Sequence, residues 1–202
     1  MFDICHLIPK EQIMLTIKEM EERLGFTPGP TLVELAKRAY ETASALPSHA
    51  FAKLWFILPW LDAKYDGYNT CFGGSGTPKN VKAFAFTGGD LVHFGFLTAP
   101  DLENEESPIV CIDPGDRAQI VAPNLRAFLG LLSIAFGEVM GRHTNEHWFA
   151  FRQKWYGNEP DHLQEMERLS QTILTIPGVT RPSDPERIGK MTADITFELS
   201  WD

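Results

Sequence analysis

Cysteine is scarce, long apolar runs are missing and basic residues are outnumbered, and each shortage closes off a class of protein. The 202 residues hold three cysteines, Cys5, Cys71 and Cys111, far apart and without CxxC spacing, so neither a disulfide framework nor a cysteine-rich metal site is specified. An odd count cannot pair fully within the chain, and reduced thiols fit the cytosol. No apolar run reaches the roughly 18 residues of a membrane span, and the opening "MFDICHLIPKEQ" lacks the basic region, apolar stretch and small-residue cleavage site of a secretory signal. The expected setting is cytoplasmic, with no membrane partner. Eighteen Lys and Arg stand against 27 Asp and Glu, a net charge of −9, and no Lys/Arg-rich stripe occurs. That balance repels phosphate backbones, argues against nucleic-acid binding and favours basic protein partners.

What is present fits an ordinary globular chain, 44% hydrophobic and 22% charged, of a length that suits a single domain over 1–202. Between Pro9 and Leu24, Ile13, Ile17, Met20 and Leu24 recur at helical spacing before Gly25. Thr31 to Leu46 repeats the pattern with Leu32, Leu35, Ala36 and Ala39, and "SHAFAKLWFILPWLD" reads as a third, buried helical piece near Pro59. Helices are therefore expected over 9–60. The glycine-rich "DGYNTCFGGSGTPKN" is a loop, and after it come short β-branched or aromatic runs, "VKAFAF", "LVHFGFL", "PIVCID" and "AQIVA", which predict a sheet over 81–122. From Asn124 to Met140 the helical period returns with Leu125, Phe128, Leu129, Leu132 and Phe136; a further helix over Asp161–Leu174 and the alternating "TADITFELSW" complete a C-terminal part over 124–202. The predicted class is α+β, with a mixed or mainly antiparallel sheet and flanking helices.

Within the sheet, "FAFTGGDLVHFGFL" reads as a hairpin. A two-residue turn at Gly88 and Gly89 pairs Phe86 with Leu91, Ala85 with Val92 and Phe84 with His93, and Asp90 is suited to capping freed amides. Both faces of that hairpin are apolar, so both should be covered. His93 could serve as a general base, yet no nucleophile or orienting carboxylate is placed beside it by the sequence, and a core histidine accounts for it more simply.

In order, "FAFTGGDLVHFGFL", "SPIVCIDPGD" and "IVAPNLRAFLGL" resemble the SUKH superfamily, which includes yeast glucan-synthesis regulators and bacterial toxin-immunity proteins. The matching residues are Gly88, Gly89, Asp90, His93 and Phe94 in the turn and aromatic strand, Pro108 to Ile112 in the next strand, and Asn124, Leu125, Phe128 and Leu129 at the helix start. The resemblance implies an α+β domain that works by binding a protein, such as a toxin domain, with no catalytic residues and no cofactor. An intracellular regulator or scaffold of the cell-wall-synthesis type is the alternative it also implies.

Two other signals bear on function. "HTNEH" satisfies the HxxEH pattern of inverted zinc peptidases, with His143 and His147 as ligands and Glu146 as base, but a third ligand is not evident and Gly141 interrupts the helix; this zinc-dependent hydrolase is the second alternative. "GGSGTPK" lacks the GK[ST] ending of a phosphate loop. Finally, "DLENEESP" gathers Asp101, Glu103, Glu105 and Glu106 beside the hairpin, four carboxylates that read as a solvated turn or, in an immunity-like protein, as a surface that steers a basic partner.

Overall fold

A computed structural model describes residues 14–44, 46–54, 56–62, 78–87, 92–98, 104–112, 118–133 and 160–183. Helix α1 (Ile17–Leu24) starts from a capping box: the Thr16 hydroxyl accepts from the Glu19 amide at 3.2 Å, and the Glu19 carboxylate accepts from the Thr16 amide at 2.7 Å. It stops at Gly25, which takes the left-handed conformation with φ 74°. The extended backbone of Thr16 means that the helix does not reach back through Met14 to the expected Pro9. Met20 and Leu24 are buried as the period requires, whereas Ile17, one residue past the cap, is exposed.

Helix α2 (Pro30–Thr42) begins with proline at its first turn and buries Leu32, Leu35, Ala36 and Ala39, the apolar stripe read from the sequence, but it ends short of Leu46. The expected third helix is instead a set of separate 3-10 turns at Pro47–His49, Ala52–Leu54 and Pro59–Leu61. Pro47 and Pro59 each open a new turn, and Ile57 between them is held extended by a two-way hydrogen-bonded bridge to Phe86 at 3.0 and 3.1 Å. An irregular backbone has no single apolar face. That is why Phe51, Leu54, Phe56, Leu58, Trp60 and Leu61 can all be buried.

Strands β1 (Val81–Phe86), β2 (His93–Leu97), β3 (Ile109–Ile112) and β4 (Ala118–Ala122) form an antiparallel sheet in that order. The β1–β2 register differs from the expected two-residue hairpin. His93 pairs with Phe86 rather than with Phe84, and the Thr87 amide donates to the Val92 carbonyl at 3.0 Å, leaving residues 88–91 as the connection. Gly88, Gly89 and Asp90 themselves lie outside the described residues. A β-bulge is the second departure: Ala83 faces Gly95 and Ala85 faces Phe94, so Phe84 is the extra residue. The bulge brings Phe84 and Ala85 together into the main core, on the face that holds Phe94 and Phe96. A second irregularity between β3 and β4 does the same for Val121 and Ala122.

Helix α3 (Leu125–Leu132) follows the sheet, its first turn capped by the Asn124 side chain, which accepts from the Ala127 amide at 2.9 Å. The remainder of the expected helix to Met140 lies outside the described residues. Helix α4 (Pro160–Leu174) matches its expected span to within a residue. After it the chain crosses α3, where the Arg181 guanidinium donates to the Ser133 carbonyl at 3.2 Å and so neutralises the end of that helix.

One core joins these elements. Phe84 and Phe96 lie 4.6 Å apart between ring centres, Phe94 and Phe128 4.9 Å, and Phe26 and Phe96 5.2 Å, with Leu129, Leu132, Leu169 and Ile173 packed around them. On the opposite face of the sheet Val81, Leu97, Val110 and Ile112 are buried too. The class is α+β, and both sheet faces are covered, as the two-sided apolar strands require. Among the described residues no helix is long and apolar enough to cross a membrane.

Candidate functional site

The acidic turn is where the structure departs furthest from the expected solvated loop. Residues Asn104–Ser107 fold back on themselves: the Glu106 amide donates to the Asn104 side chain at 2.7 Å, and the Ser107 amide to the Asn104 carbonyl at 3.0 Å. This aims the two middle residues in different directions.

Glu105 points inward and is only 5% exposed. Its carboxylate accepts from the Thr31 amide at 2.9 Å, the Leu32 amide at 3.2 Å and the Thr31 hydroxyl at 2.8 Å. Those amides belong to the first turn of α2, which Gly29 leaves without a side-chain cap of its own. Glu105 therefore supplies the cap from a distant part of the chain, and its negative charge meets the positive end of the helix dipole. The Arg126 guanidinium adds a longer contact at 3.4 Å. Gly29 makes this approach possible, because a Cβ there would lie 2.4 Å from the Glu105 carboxyl carbon.

The Glu105 main chain serves a second helix. Its carbonyl accepts from the Leu125 amide at 3.0 Å, the first residue of α3. One short turn thus satisfies donors at the N-termini of both α2 and α3 and clasps them to the connection between β2 and β3. Glu106 faces outward, where Arg126 pairs with it at 2.7 Å and the Asn124 side-chain Nδ2 donates to it at 3.2 Å. Of the four carboxylates, Glu105 is withdrawn from any contact surface and committed to the fold, Glu106 is exposed but paired, and Asp101 and Glu103 lie outside the described residues. Thr31, Gly29 and Arg126, the partners of Glu105, were not singled out by the sequence. The one signal in it was a helix start, Gly29-Pro30-Thr31, that lacks a side-chain cap of its own.

The remaining candidate residues are buried where they are described. His93 is 3% exposed, in a central strand between Phe86 and Ile112, and Phe94 is fully buried against Phe128. Cys111 is buried in β3. His143, Glu146 and His147 lie outside the described residues; among the described ones no three His, Cys, Asp or Glu side chains gather closely enough to hold a metal ion. The Ser48 hydroxyl, itself fully buried, lies 2.9 Å from the His49 ring.

No protein-family model matches the sequence, and no curated protein matches it closely.

Proposed function

We propose that this chain is a non-catalytic, cytoplasmic protein-binding domain, an immunity- or antitoxin-like protein that binds and neutralises a toxin domain. The observation that carries this reading is the order of elements around the matching residues. An aromatic strand (His93–Leu97), an apolar strand (Ile109–Ile112), a short strand (Ala118–Ala122) and a helix carrying Phe128 and Leu129 follow one another in the SUKH-like sequence pattern. The net charge of −9 supports a basic partner. Its nearest exposed carboxylate in the described turn is Glu106, with Asp101 and Glu103 preceding it in sequence; Glu105 has no part in the contact.

The test is co-expression with a toxin domain encoded beside this chain. A stoichiometric complex and protection of the host cell are expected. Failure to bind or protect against any such toxin overturns the immunity reading, and a neighbourhood of wall-synthesis genes without a toxin would favour the regulator or scaffold.

The HxxEH run carries the competing enzymatic reading, and metal analysis separates the two. The chain purified without added metal is expected to contain no stoichiometric zinc. Zinc that is present and disappears on changing His143 and His147 to alanine would establish a metal site and overturn the non-catalytic reading.

A further inference from the structure

We draw no further inference here: the strongest candidate, the acidic turn Asn104–Ser107 clasped between the N-termini of α2 and α3, is a carboxylate cluster whose buried member is already held by the fold's own donors, and nothing among the described residues beside it points to a ligand.

Discussion

A buried carboxylate that accepts from two amides and a hydroxyl is costly to remove, because each donor left behind is cut off from water. Changing Glu105 to alanine is expected to destabilise the fold by about 2–4 kcal/mol, read from denaturant unfolding. Glu105→Gln keeps one acceptor oxygen and should lose roughly half as much, whereas Glu106→Gln, on the surface, should cost no more than about 0.5 kcal/mol. Equal effects at 105 and 106 would show that the clasp contributes nothing. Gly29 supplies an independent check. A methyl group there collides with the Glu105 carboxyl carbon, so Gly29→Ala should be damaging in the native background and much milder once Glu105 is alanine. Additive losses would mean that the two residues do not share a site. Beyond the uncapped helix start at Gly29-Pro30-Thr31, none of this was legible in the sequence. An acid in a run of acids next to a proline reads as solvent-facing, and no local pattern pairs position 105 with position 31, 74 residues away. His93 was legible as a core residue because its apolar neighbours on both sides required covered faces.

At the scale of elements, legibility followed how local the determining interactions are. The start of α2, the span of α4, the stripe of Leu32, Leu35, Ala36 and Ala39, and the Asn124 cap depend on residues three or four apart, and all were readable. The β1–β2 register was not: strand alternation cannot tell the observed Phe86–His93 pair from the expected Phe84–His93 pair, two positions apart and on the same face, and it carries no trace of the bulge at Phe84, which packs against Phe96 and Phe128. The 3-10 turns were missed for a similar reason: Ile57 is drawn straight by the edge of β1. Two predictions belong here. In α3, a Cβ on Gly130 would lie 2.4 Å from the Thr180 carbonyl oxygen. Gly130→Ala should therefore destabilise by about 1–2 kcal/mol, although alanine favours the helix by about 1 kcal/mol. A stabilised variant would mean that the segment after α4 does not sit against α3. In α1, the hydrogen bond from the Thr16 amide holds the Glu19 carboxyl below its ordinary value. A carboxylate with a depressed native pKa stabilises the fold above the unfolded value, about 4.3, and that contribution is lost as the pH falls through the lower native value. The melting-temperature difference between the native chain and Glu19→Gln should thus be present at neutral pH and vanish in acid. A difference constant across that range would show that the capping box does not depend on the charge.

For the whole molecule, the central question is how a chain of net charge −9 would meet a basic partner. Among the described residues several acids are balanced locally: Glu34 by Arg38 at 2.6 Å, Glu165 by Arg168 at 2.7 Å, and Glu106 by Arg126. Charges more than about 8 Å apart are largely screened at physiological salt, so such a surface guides approach more than it strengthens the final complex. Partner identity is invisible at this scale, since net charge names a sign and no shape. Under the proposed function, steering by exposed carboxylates and the clasp made by Glu105 have separable effects. Changing Asp101, Glu103 and Glu106 together to Asn or Gln should slow association with a basic toxin domain about 3–10-fold at low ionic strength and flatten its salt dependence, with dissociation and melting temperature almost unchanged. Glu105→Gln should behave in the opposite way, lowering the melting temperature while the folded protein keeps its association rate. Measuring both rates at two salt concentrations resolves the cases. Unaltered association in the triple variant would leave the turn with a purely structural role, and a strongly faster dissociation would place these carboxylates inside the desolvated contact, where breaking a charge pair acts on the bound state.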